Sequence, residues 1–143
     1  MPLIYINAPK GTFTRSAQNA LAEEITNDAL HGEKLPATPF VKSTTWIYVR
    51  EYDEDMVYHG GKPGGTKVIS LEINAFEGGL DASAKSALMA QVTESIRKHA
   101  GITGDVVPVY IIFRDVPDIN WGVFGGPITL SALQNPDPDA KPI

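Results

Sequence analysis

The chain has no cysteine. That excludes disulfides, thiolate metal sites and a cysteine nucleophile, and it fits a reducing compartment. Basic residues form no cluster and the formal net charge is −5, so a nucleic-acid backbone would find no electrostatic footprint here. No apolar run approaches the roughly 18 residues of a membrane span. The opening MPLIYI lacks the basic-then-apolar order of a secretory signal. Histidines are few: His31, His59 and His99 are scattered and have no supporting carboxylates, so no metal site is expected. The glycine-rich piece 59–65 lacks the Gly-x4-Gly-Lys-Ser/Thr order of a phosphate loop and reads as a hairpin and turn. What is present is ordinary for one soluble domain: 143 residues, 43% hydrophobic and 20% charged. The expectation is a cytoplasmic protein with no nucleic-acid and no membrane partner.

The chain is written twice. Residues 6–26 laid on 73–93 without a gap share nine of 21 positions, among them Ile6/Ile73, Asn7/Asn74, Gly11/Gly78, Ser16/Ser83 and Leu21/Leu88. The likeness continues at a slightly shorter offset, with Tyr48-Val49-Arg50-Glu51 over Ile112-Phe113-Arg114-Asp115. Each half reads as a strand, a Gly-containing loop, a helix, a second apolar strand and a hairpin ending in Gly-Gly. Thr14 and Asp81 are the expected helix N-caps, and Gly32 and Gly101 the expected terminators. Apolar residues at 17, 20, 21 and 25, and at 84, 87, 88, 92 and 96, mark the buried helix faces. Repeat 1 spans about residues 2–66 and repeat 2 about residues 67–130. They form one domain of residues 1–130 followed by a turn-prone tail, 131–143, that is either frayed or laid across a neighbouring subunit.

Two β-α-β units give an α/β (two-layer α+β) fold, a four-stranded sheet with two helices on one face. Strand 109–113 is continuously apolar, the pattern of a strand covered on both sides. Two helices cover only one face, so a further copy of the chain is expected on the other.

Pro2 begins the first strand. At a strand's first residue the missing N–H does no harm. With Met1 removed, however, Pro2 also offers a secondary amine. An α-amine titrates near roughly 8, and burial lowers an ammonium's pKa toward the range useful to a general base. With Met1 attached, the same nitrogen is an amide without basicity.

Pro2 at the head of a strand, the duplicated unit, the segment Met56-Val57-Tyr58-His59-Gly60-Gly61 and the segment Asn120-Trp121-Gly122-Val123-Phe124-Gly125-Gly126 together resemble the tautomerase superfamily. That superfamily includes 4-oxalocrotonate tautomerase and macrophage migration inhibitory factor. Phe13-Thr14-Arg15-Ser16-Ala17 and the chain length are most similar to the cis-3-chloroacrylic acid dehalogenase-like group. The resemblance implies a homotrimer, a small-molecule substrate, no cofactor, and Pro2 as acid–base residue in a cavity shared between subunits.

It also implies roles for other residues. Tyr110 matches a pocket tyrosine that orients water or donates to a developing enolate oxygen. Trp121 stands where relatives have a pocket phenylalanine. Thr12, and Phe76 with Gly79, occupy loop positions where relatives carry substrate-binding arginines. Arg114 is a replacement cation for a carboxylate, or else it ends its strand in water or pairs with its neighbouring acid at a subunit contact. His31 lies two residues past the dehalogenase group's functional histidine and equally suits a helix C-terminus. The implied chemistry is proton transfer on a small keto–enol or unsaturated carboxylic acid. Hydration or dehalogenation of such an acid, and a catalytically weak trimeric binding relative, stand as alternatives.

Overall fold

Alternating apolar residues set the inner face of the sheet. In β1 (Leu3–Pro9) Ile4, Ile6 and Ala8 are buried, while Leu3, Tyr5 and Asn7 point the other way. The computed structural model describes residues 2–143. After β1 come α1 (Arg15–Gly32), a short α2 (Pro39–Ser43) and β2 (Trp46–Tyr52). A 3-10 turn (Glu54–Met56) then leads into the hairpin β3 (Tyr58–His59) and β4 (Lys62–Pro63). The second half repeats the plan with β5 (Ile69–Phe76), α3 (Ala82–His99), β6 (Val109–Val116), a 3-10 turn (Asp118–Asn120) and the hairpin β7 (Gly122–Val123) and β8 (Gly126–Pro127). Finally comes α4 (Leu130–Gln134).

The four long strands lie in the order β2-β1-β5-β6, parallel within each half and antiparallel between β1 and β5. The main core forms where Ile4, Ile6, Leu71 and Ile73 meet Leu21, Ile25, Leu88, Val92 and Ile96 of the two long helices. The expected two-layer architecture is therefore present, with the two short helices added.

Both long helices start as expected. Thr14 Oγ1 accepts from the Ala17 N–H at 3.1 Å, and Asp81 Oδ1 from the Ala84 N–H at 2.8 Å. Their ends differ. The α3 end is a Schellman turn with Gly101 at φ 65°, where the Gly101 N–H donates to Lys98 O and the Ile102 N–H to Arg97 O. The α1 end has the same bonds two residues later than expected: Lys34 N–H to His31 O, and Leu35 N–H to Leu30 O. Lys34, at φ 55°, occupies the left-handed position, and Gly32 is still helical.

Gly32 serves packing instead of termination: a Cβ there would meet Leu80 Cδ2 at 3.0 Å. A lysine in the left-handed region costs about 1 kcal/mol relative to glycine. Lys34→Gly is therefore expected to stabilise the protein by about 0.5–1 kcal/mol, measured as a raised urea midpoint at unchanged slope.

A second core lies beyond the β1 start. Leu30, Leu35, Val41, Phe76 and Leu133 are buried together, with Phe40, Trp121, Val123 and Ile128 packed around them. Leu133 of α4 is fully buried, and the Ile143 N–H donates to Ser43 Oγ at 2.9 Å. The segment after residue 130 thus packs on its own chain, Leu133 entering the second core and the last residue meeting α2.

Candidate active site

Strand register places Pro2. Leu3 pairs with Trp46 on β2 and with Asn74 on β5, and Asn74 pairs with Arg114 on β6. The row Trp46–Leu3–Asn74–Arg114 therefore crosses the helix-free face at one end of the sheet. Next to it runs Tyr48–Tyr5–Glu72–Ile112, and beyond that Arg50–Asn7–Ser70–Tyr110. Pro2 is buried just outside the first row, and its carbonyl accepts from the Trp46 N–H at 3.2 Å.

A cavity of about 90 Å³ opens beside Pro2, walled by Leu3, Trp46, Trp121 and Val123 with Thr44 and Gly122. The expected neighbour Trp121 is among these walls, and the second core holds it in place. Its ring lies 4.8 Å from that of Phe76, and its indole N–H donates to Val116 O at 3.1 Å. Trp46 is held in the same manner, its indole N–H donating to Ser43 O at 3.0 Å. Thr44 Oγ1 donates to Val41 O at 2.7 Å. All three side-chain donors on the cavity wall are thus engaged within the protein.

The other residues singled out from sequence are dispersed. Phe76 is fully buried beneath Trp121 and does not line the cavity, because β5 carries it into the second core. Arg114 is two strands from β1, roughly 10 Å across the sheet. Its Nη1 pairs with Glu72 Oε2 of the adjacent strand at 2.5 Å. Tyr110 is 57% exposed on the third row, on the order of 20 Å from Pro2 within one chain. His31 is exposed in the last turn of α1.

Thr12 lies at the far end of β1, with Oγ1 donating to Pro9 O at 2.6 Å. It borders a wider hollow of about 390 Å³ that includes Lys10 and Lys67. Those lysines are paired with Asp53 and Glu54, at 2.8 Å and 2.7 Å. His99 is committed elsewhere too, its Nε2 being 3.1 Å from Glu24 Oε1. The hydrogen bond from Lys98 holds that Glu24 carboxyl down to about 2.

Sequence reading missed two features of the Pro2 end. Trp46 reaches the cavity through a register that only the pairing of β1 with β2 decides. Glu33, the C-cap of α1, is 1% exposed. Its signal was in the spacing, since Leu21, Ile25 and Ala29 are buried at i, i+4 steps that continue to residue 33.

The outer face of the sheet has no cover within one chain. Trp46 is 40% and Tyr48 47% exposed there, and the Arg50 guanidinium lies 4.1 Å from the Tyr5 ring centroid. Within one chain, strand 109–113 is covered on one side only, with Val109, Ile111 and Phe113 partly buried against the core. Among the described residues, no three metal-ligating side chains converge, and no helix is long and apolar enough to cross a membrane.

A family model described as Tautomerase enzyme matches residues 70–130, nearly the whole second repeat. A probable tautomerase of Ralstonia nicotianae is 42% identical over 55 residues, which are 38% of this chain and 80% of that protein. Among solved structures, a fused 4-OT described as a wild-type symmetric trimer superposes with a TM-score of 0.71 at 20% identity, covering 91% of this chain and 97% of that one. A member of the cis-3-chloroacrylic acid dehalogenase family superposes with a TM-score of 0.72 at 13% identity, over 89% of this chain and 83% of its own. At these identities the structures share the fold.

Proposed function

The chain belongs to the tautomerase family, and from that premise we propose that, once Met1 is removed, the Pro2 amine moves a proton on a small keto–enol compound. The observation that carries this reading is the burial of Pro2 beside a cavity walled by two indoles. Leu3, Val123 and the indoles strip water from the amine, which disfavours its ammonium form and lowers its pKa toward neutrality. The neutral amine takes a proton from the carbon beside a carbonyl. The electron pair moves onto the carbonyl oxygen, and the resulting ammonium returns the proton to complete the tautomerisation. No cofactor enters this step.

The developing enolate oxygen needs a donor. Thr44, Trp46 and Trp121 already spend their side-chain donors on backbone carbonyls. Tyr110 is exposed and on the order of 20 Å away in the same chain. Its phenol therefore acts, in this reading, from a neighbouring copy seated on the helix-free face. This supports a homotrimer, the assembly named for the fused 4-OT structure. Size-exclusion chromatography with light scattering is expected to give three times the chain mass at micromolar concentration, and a stable monomer would overturn the shared site. Ketonisation of phenylenolpyruvate by Met1-free protein, measured beside Pro2→Ala, tests the chemistry itself.

A further inference from the structure

We infer that Phe124 determines specificity at the Pro2 site: with Trp46 its ring forms the mouth of the cavity and holds an aromatic substituent of the carbonyl substrate. This deepens the Pro2 reading and rests on it.

The backbone gives the first reason. In each repeat a two-residue turn joins the short strands, Gly60-Gly61 between β3 and β4 and Phe124-Gly125 between β7 and β8. Both residues of each turn take positive φ, 58° and 80° in the first repeat, 50° and 83° in the second. Glycine and asparagine suit such a turn, and the first repeat uses glycine twice. The second places phenylalanine there, a bulky side chain in a region it rarely enters. Strain of this kind clusters at ligand-binding positions.

Burial within the chain does not repay that strain. The Phe124 ring is 75% exposed and meets the Trp46 ring at 6.0 Å between centroids, tilted by 58°. Two rings at that angle form an open corner and not a closed stack. Trp46 is a wall of the Pro2 cavity, and so is Val123, the residue before Phe124. The corner therefore stands at the mouth of the cavity.

Size gives the second reason. A space of about 90 Å³ holds roughly three water molecules, enough for a carbonyl and the carbon beside it. Small-molecule sites usually offer roughly 300–1,000 Å³. A larger substituent on that carbon must pass out through the mouth, against the rings of Trp46 and Phe124. An aryl group gains more from this aromatic corner than an alkyl group does. The contact lies away from the reacting carbon, so it is made in ground and transition states alike, and its loss falls on KM.

Phenylpyruvate and 2-oxobutanoate share one charge and one keto-acid head, and differ as phenyl against methyl on C3. Whatever a neighbouring copy adds at the carboxylate end cancels from their ratio. Exchange of the C3 proton in D₂O, followed by NMR, reads proton transfer for both. Phe124→Gly in the Met1-free native assembly is expected to raise KM for phenylpyruvate about tenfold, with kcat changed less than threefold. For 2-oxobutanoate kcat/KM is expected to fall less than threefold. Phe124→Tyr keeps the ring and is expected to keep the native ratio. The glycine variant relieves the turn, so neither its urea midpoint nor its assembly mass is expected to fall. Phe124→Asn tolerates the same backbone and supplies the comparison if Phe124→Gly folds poorly.

Equal losses for the two substrates, an unmoved ratio, a lower urea midpoint or a smaller assembly would make Phe124 a packing residue and overturn the inference. Slow exchange of both substrates by Pro2→Ala alongside that outcome would leave the Pro2 reading standing. Equal rates for native protein and Pro2→Ala would instead defeat the Pro2 reading itself.

Discussion

Pro2→Ala, prepared free of Met1, is expected to lose about a hundredfold in kcat for enol ketonisation, with KM changed far less. A positioned acid–base group contributes roughly 10²–10⁴-fold. The alanine variant still carries an α-amine of similar basicity, so its loss falls at the low end of that range. What alanine lacks is the ring that fixes the nitrogen at the head of β1, beside Leu3 and the two indoles. Native protein that retains Met1 has an amide at Pro2 and is expected to fall further, toward the upper end of the range. Intact mass identifies the two forms, and stopped assays on each provide the rates. A Pro2→Ala rate equal to that of native protein would remove the proline from the mechanism.

Phe76→Ala is expected to cost about 3–5 kcal/mol, the usual price of emptying a buried phenyl site. Against a total stability of roughly 5–15 kcal/mol, that is a large fraction. Phe76 is fully buried among Leu30, Leu35, Val41 and Leu133, and those neighbours come from three helices and the loop after α1, so the hole has little freedom to collapse. The same change removes the ring 4.8 Å from Trp121. Folded Phe76→Ala is thus expected to lose activity as well, with kcat falling because the cavity wall is no longer fixed. Phe76→Leu keeps most of the volume and is expected to cost less than about 1.5 kcal/mol. Urea titrations of the two variants give the comparison, and a Phe76→Ala midpoint close to the native one would contradict the assignment of this second core.

Much of the fold was legible because the chain states it twice. Gly11 and Gly78 hold the same place in the two repeats and adopt φ 77° and 78°. Thr14 and Asp81 cap the two helices through the same N3 bond. The exceptions arise where one repeat solves a local problem differently. At the end of α1, packing against Leu80 claims the glycine at 32, and the left-handed turn falls to Lys34. The short helix α2 was announced by Thr38 before Pro39, an N-cap followed by a proline at the first helical position, but its five residues are too few to show a period.

The site was less legible for a different reason. Pro2 and Trp121 could be placed from a strand start and a hairpin, which are local features. Trp46 joins them through inter-strand register, which depends on the whole sheet. Arg114 was visible as a cation, but its partner Glu72 comes from the neighbouring strand and was not visible as such.

The central claim is that the Pro2 nitrogen carries the proton. Its most direct test is a titration of ¹⁵N-labelled Pro2 in Met1-free protein, set beside the pH profile of kcat/KM for a neutral keto–enol substrate. One midpoint, below the roughly 8 of an ordinary α-amine, is expected to describe both the nitrogen shift and the rate. A rate that stays flat while the Pro2 nitrogen titrates would contradict it.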